Sequence, residues 1–150
     1  MALTEFKKAA VNWLSRREHS KAELSRKLQQ KGASATEQSA VLAWCQEQGY
    51  LDELRFLEMI LRHRSQQGYG YQFILRECRQ HQFSAEQVSA MAEQLEIDWW
   101  ELARQSYQKK FAAKAPGDYQ EKMKRMAYLQ RRGFSSEQIR AVFSDTNVTD

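Results

Sequence analysis

The sequence predicts an all-α chain: three tandem three-helix repeats forming an elongated, curved body. Three observations predict it. Only six Gly and one Pro occur in 150 residues, whereas a sheet-rich fold needs more of both for its tight turns. One short pattern recurs at offsets of 50 and 51 residues. Each copy carries a serine cap at the same place, with apolar residues at helical spacing behind it.

The three copies are RKLQQKGAS (Arg26 to Ser34), RECRQHQFS (Arg76 to Ser84) and AYLQRRGFS (Ala127 to Ser135). Leu28, Cys78 and Leu129 coincide as apolar anchors, and Gly32, Gln82 and Gly133 coincide as turn positions. Ser34-x-x-Glu37, Ser84-x-x-Gln87 and Ser135-x-x-Gln138 each fit a capping box. In that device the serine oxygen accepts a free backbone N–H and the Glu or Gln reaches back to the cap. One such box arises easily by chance; three in register do not.

The elements follow in order. The first helix runs from about Thr4 with Phe6, Ala10, Trp13 and Leu14 on one face. Ser20-x-x-Glu23 opens the next, which carries Leu24 and Leu28 and stops at Gly32. The third, behind Ser34, presents Val41, Trp44 and Cys45. In the second repeat Asp52 caps a helix presenting Leu54, Leu57, Ile60 and Leu61. Gly68-Tyr69-Gly70 then turns the chain into a helix holding Phe73, Ile74 and Cys78, and Ser84 caps the one holding Val88, Met91 and Leu95. In the third, Asp98-x-x-Glu101 caps Trp99, Leu102, Tyr107 and Phe111. Ala115-Pro116-Gly117 breaks the chain, since Pro cannot continue a helix. Asp118-x-x-Glu121 opens Met123, Met126 and Leu129 up to Gly133, and Ser135 caps Ile139, Val142 and Phe143. The expected repeats span 1–49, 50–97 and 98–144, with 145–150 as a flexible tail. A unit of roughly 45 residues buries little core alone, so neighbouring units should lean on each other.

Composition narrows the function classes. Hydrophobic residues make up 42% and charged residues 28%, as in a folded soluble domain. No apolar run approaches the roughly 20 residues that span a bilayer, and the amphipathic start MALTEFKKAAVNWLSRR is interrupted by charge, unlike a signal peptide or anchor. Cys45 and Cys78 lie far apart in apolar stretches, as buried free thiols of a reducing compartment do. The expectation is a cytoplasmic protein away from membranes.

Catalysis needs convergent groups, and the sequence offers none. His19, His63 and His81 are scattered beside basic residues, with no zinc-ligand spacing to a cysteine. No Walker loop or G-x-S-x-G elbow occurs, and Gly68-Tyr69-Gly70 lacks both the third glycine and the preceding strand of a phosphate cradle. The acidic residues read as caps. The chain is therefore expected to be no enzyme, with no cofactor and no metal. Trp13, Trp44 and Trp99 fall on apolar stripes, whereas Trp100 cannot point inward beside Trp99.

Charge is uneven: residues 101–143 carry ten basic and four acidic groups, a balance suited to a polyanion or an acidic protein surface. The candidate partner-binding residues are the basic ones off the apolar stripes. They are Arg16, Arg17, Lys21, Arg26 and Lys27 in the first repeat, and Arg62, Arg64, Arg76 and Arg79 in the second. Lys109, Lys110, Lys124, Arg125, Arg131 and Arg132 complete them in the third. Arginine can fork onto carboxylate or phosphate, which favours the arginines. Cations near a helix C-terminus also suit the helix dipole, which needs no partner.

Over nearly its full length the chain resembles the RecX family. WLSRREHSKAELSRKL (Trp13–Leu28), GYLDELRF (Gly49–Phe56), RHRSQQGYG (Arg62–Gly70) and YLQRRGFSSEQIRAVF (Tyr128–Phe143) carry the resemblance, in the family's order. It implies tandem three-helix repeats and a negative regulator of RecA. Such a regulator binds in the groove of the RecA–DNA filament and modulates ATPase, strand exchange and co-protease activity in DNA repair and the SOS response. A weak direct contact with DNA is also implied, and the chain is expected to act as a monomer. The chain departs from the family at Gln82, where glycine is usual, at Cys78, where leucine is usual, and at Glu53, where a second aspartate is usual. A direct DNA-binding helical protein is the alternative that the basic third repeat supports.

Overall fold

The structure, a computed structural model, describes residues 3–112 and 114–148, with side chains as far as Ser144. Among the described residues there are nine helices and no strand. They are α1 (Leu3–Arg16), α2 (Lys21–Gln30), α3 (Ala35–Glu47), α4 (Glu53–Gln66), α5 (Tyr71–Gln80), α6 (Ala85–Gln94), α7 (Trp99–Phe111), α8 (Tyr119–Arg132) and α9 (Ser136–Val148). None is long and apolar enough to cross a membrane. Of the tail expected over 145–150, α9 includes the backbone as far as Val148; the remainder lies outside the described residues.

The caps read from sequence are the caps that form. Ser34 and Ser84 close reciprocal capping boxes with Glu37 and Gln87. Ser135 does the same: the Gln138 N–H donates to Ser135 Oγ at 3.1 Å, and the Ser135 N–H donates to Gln138 Oε1 at 2.9 Å. Asp52, Asp98 and Asp118 each accept the N–H three residues on. The recurring Leu-x-x-x-Gly block is explained at the other helix end. Ala33 and Phe134 donate their N–H groups to Leu28 and Leu129 carbonyls at 2.9 and 3.2 Å, the six-to-one bond that closes a helix through a left-handed residue. Gly32 (φ 107°) and Gly133 (φ 105°) supply that residue, and Gln82 adopts φ 68° at the same place without being glycine.

Two compact units are present. One comprises Met1–Met59 with Gln80–Phe83, the other Ile60–Arg79 with Ser84–Asp150. In the first, α1, α2 and α3 pack pairwise around Phe6, Ala10, Leu24, Leu28, Ala33, Val41, Cys45 and Leu51, with Trp13, Leu14, Leu42 and Trp44 half-buried at the edge. In the second, α7, α8 and α9 pack pairwise around Ala103, Tyr107, Leu129, Phe134, Ile139, Val142 and Phe143. Two expected core positions are exposed. Leu54 is 63% exposed and Met123 37% exposed. At about 100° per residue Met123 points about a third of a turn away from the buried Leu129, and Leu54 is the second residue of α4, at the helix's open end. Trp99 is half-buried against Tyr71, ring centroids 5.5 Å apart.

One helix end in the second unit is closed by backbone alone. α5 has neither a serine cap nor an acidic residue in its first turn, so its leading N–H groups need acceptors from elsewhere. The Gly70 N–H donates to the Arg132 carbonyl at 2.7 Å and the Gln72 N–H to the Gly133 carbonyl at 3.0 Å. The end of α8 thus feeds the start of α5, and two sets of orphan groups satisfy each other with their dipoles head to tail. Only glycines permit it. A Cβ on Gly70 would sit 2.6 Å from the Gly133 carbonyl atoms, and one on Gly133 would sit 2.5 Å from the Phe73 nitrogen. Those neighbours are backbone and cannot rotate away.

Two expectations follow for urea unfolding. Gly70→Ala or Gly133→Ala lowers stability by about 3 kcal/mol or more, through clash and lost bonds together. Gln82→Gly raises it by about 0.5–1 kcal/mol by relieving a left-handed Cβ; an unchanged midpoint would show that the turn bears no strain.

Candidate partner-binding surface

The cationic side chains divide into those the fold consumes and those it leaves outside. In the first unit Arg17 grips Glu23, with Nη2 2.5 Å from Oε2. Burial pushes the Glu23 carboxyl up, but the hydrogen bonds and charge of Arg17 outweigh it and hold the group below the ordinary carboxylate range. Lys27 is half-buried over the Trp13 ring, 5.2 Å from its centroid. Its Nζ lies 3.3 Å from Nε2 of His19. Arg16, Lys21 and Arg26 stand exposed, Lys21 giving only its backbone N–H, to Glu53 at 2.5 Å.

His19 and Ser20 are the buried polar residues described in this unit, 1% and 0% exposed. Nδ1 of His19 faces the Arg17 carbonyl at 3.0 Å. A carbonyl can only accept, so Nδ1 carries the proton and Nε2 accepts from Lys27. The ring is therefore held neutral. Burial lowers its proton affinity, and the Arg17 carbonyl only partly offsets that. The adjoining Ser20 Oγ caps α2 at the Glu23 N–H, 3.0 Å away, and also meets Nδ1 of His81 at 2.9 Å. His81 packs edge-on against Phe56. Two histidines with no legible role in the sequence thus close this unit's polar interior.

In the second unit Arg64 makes a two-pronged ion pair with Glu77, at 2.7 and 2.9 Å. Arg62, Arg76 and Arg79 are exposed. Arg125 is only 7% exposed. It donates to Glu121 at 3.1 Å, to the Tyr107 hydroxyl at 2.8 Å and to the Lys114 carbonyl, and stacks 4.8 Å over Phe111. Sequence reasoning placed it off the apolar stripe; it occupies the inner face of α8 beside Leu129, because a guanidinium with three acceptors and an aromatic face can be buried. Arg132 lies 3.9 Å over Tyr69 and donates to the Gln67 carbonyl. Lys110 sits 5.4 Å over Tyr128, and Lys109, Lys124 and Arg131 are exposed. Trp100, 51% exposed, points outward as adjacency to Trp99 requires.

What these features define is an all-α protein of capped three-helix domains with its unburied cations displayed on helix surfaces. Known proteins place it further. Family models for the first and third three-helix domains of RecX match residues 7–45 and 96–143. The regulatory protein RecX of Pseudomonas fluorescens is 34% identical over 148 residues, covering 99% of this chain and 96% of that one. RecX of Halorhodospira halophila is 36% identical over 142 residues, covering 95% and 88%. The crystal structure of RecX from Lactobacillus salivarius superposes with a TM-score of 0.79 at 15% identity, covering 97% of both chains. The chain belongs to the RecX family of regulatory proteins.

Two measurements check the roles assigned to His19 and Arg125. Because folding depresses the His19 pKa, its contribution to stability is complete above the ordinary value of 6.5 and is lost as pH falls below it, where only the unfolded chain takes up the proton. The urea midpoint of the wild type should therefore drop further between pH 7 and 5 than that of His19→Gln; parallel profiles would count against a buried neutral ring. Arg125→Met leaves the Tyr107 hydroxyl and Glu121 unpaired, and should cost about 1–3 kcal/mol in the same assay, whereas Lys124→Met should change little.

Proposed function

We propose that this chain is a negative regulator of the RecA recombinase. It binds along the groove of the RecA–DNA filament and modulates ATPase, strand exchange and co-protease activity in recombinational repair and the SOS response. Family membership over nearly the whole chain carries the reading, at 34% identity to a RecX covered to 96% of its length. The physical features support it. Capped triplets recur along the chain, which we divide as 1–49, 50–97 and 98–144. Each offers a few outward cations, so linked weak contacts multiply along a polymer. Pinning neighbouring subunits biases a filament's conformational equilibrium without touching its nucleotide. Relatives carry the name of regulatory proteins, which supports a non-enzymatic role, exerted as a cytoplasmic monomer.

The contacts proposed are at cations with exposed side chains: Arg16, Lys21, Arg26, Arg62, Arg76, Arg79, Lys109, Lys110, Lys124 and Arg131. Arg17, Lys27, Arg64, Arg125 and Arg132 serve first as internal struts and enter only through their exposed edges. Direct DNA binding is the weaker reading. The third helix of a triplet would enter the groove in a helix–turn–helix protein, yet α3 (ATEQSAVLAWCQE) and α6 (AEQVSAMAEQ) contain no Lys or Arg.

The test is RecA's single-stranded-DNA-dependent ATPase with the purified chain added below one per RecA subunit. Suppression at such ratios is expected, and no change at any ratio would sink the proposal. Charge reversal at Arg76 and Arg79 together should weaken suppression by about tenfold. Tight, salt-sensitive duplex binding without RecA would favour the alternative.

A further inference from the structure

The second unit contains a cleft of about 760 Å³, within the roughly 300–1,000 Å³ range of ligand sites. α7 forms one wall. Asp98 and Glu101 lie at its start, Lys109 and Lys110 in its last turn, and Tyr128 and Arg132 come from α8. The cleft is therefore polarised, acidic at one end and cationic at the other. At the acidic end Arg104 donates from Nε to Glu101 at 2.9 Å and Asp98 accepts the Glu101 N–H, so a basic side chain arriving there shares Glu101 with Arg104. At the cationic end, Arg132 gives one nitrogen to the Gln67 carbonyl, while its Nε–H is buried with no hydrogen-bond partner. Ser65, Gln66, Gln67 and Gln105 also line the cleft; Ser65, Gln67 and Gln105 already bond to Arg62, Arg64 and Glu101, but hydroxyl and amide groups can each take a further bond.

We infer that this cleft binds an extended peptide segment of a protein partner, with an acidic side chain seated at Lys109, Lys110 and Arg132 and a basic one at Asp98 and Glu101. Length supports this: the dozen residues from Asp98 to Lys110 rise about 18 Å, which an extended chain spans in about five or six residues. A phosphate backbone fits less well. It repeats one negative charge along its length and would have to lie on two carboxylates. The inference rests on the filament reading only for the partner's identity; the ligand class comes from the lining.

The experiment is fluorescence anisotropy on the whole chain, using three fluorescein-labelled probes. These are a Gly/Ser peptide with Lys and Asp about five residues apart, the same peptide with Asp replacing the Lys, and an oligothymidylate of matching length. The mixed-charge peptide is expected to bind best, with the double-acid peptide at least threefold weaker. Lys109→Gln with Lys110→Gln should weaken the mixed peptide at least tenfold while the far-ultraviolet circular dichroism spectrum stays that of the wild type, both residues being exposed. Glu101→Gln should improve the double-acid peptide. Absence of peptide binding overturns the inference, as does oligothymidylate binding more tightly than either peptide and failing in the lysine variant. A chain that suppresses RecA's ATPase but binds no peptide overturns the cleft alone. One that binds the peptide through Lys109 and Lys110 yet leaves the ATPase untouched overturns the filament reading alone.

Discussion

Every helix begins with backbone N–H groups that have no partner inside it and ends with carbonyls in the same condition. In a chain of nine helices, none longer than 14 residues among those described, that cost recurs every dozen residues or so. Short helices have little internal stability to set against it. Closing the ends is thus the constraint under which the rest of the molecule is built. Side chains close seven of the nine described starts: Ser20, Ser34, Ser84 and Ser135, with Asp52, Asp98 and Asp118. The start of α5 is closed instead by the end of α8, and Gly70 and Gly133 let two backbones meet at bonding distance. That junction also places Arg132 and Tyr69 side by side, and with them one end of the polarised cleft.

The same economy governs charge. A guanidinium can be a strut or a handle, and its surroundings choose. Arg125 and Arg64 find acceptors in fixed positions and become struts. Lys109, Lys124 and Arg131 find solvent and stay available. A regulator that works by contact needs handles without destabilising its own fold, and opposite charges placed along helix ends achieve both. Acidic residues sit at helix starts and basic ones in last turns, as on α7 and α8, which favours each helix while leaving its outer tips charged. The polarity of the cleft follows directly from that of α7.

Much of this was legible in the residues. The serine and aspartate caps, the glycine stops and the break at Pro116 were readable because each acts through bonds within about four residues. Gln82 was readable as a departure, although only the backbone reveals that it adopts the left-handed turn. Leu54 and Met123 were misplaced because a stripe's edges cannot be told from its centre without the partner surface. Arg125 was counted as outward for the converse reason. Its acceptors lie 4, 11 and 18 residues away, and no local pattern announces them. His19 and His81 looked incidental, since the bond between Ser20 and His81 spans 61 positions.

What the sequence determined by itself is the number, order and ends of the helices, together with kinship to the RecX family, because capping and periodicity are local and motifs are linear. Only the tertiary structure decided which cations are exposed, which histidine is buried, and that one helix is capped by another's carbonyls. Those outcomes depend on groups tens of residues apart meeting at hydrogen-bonding distance, and folding alone brings them together.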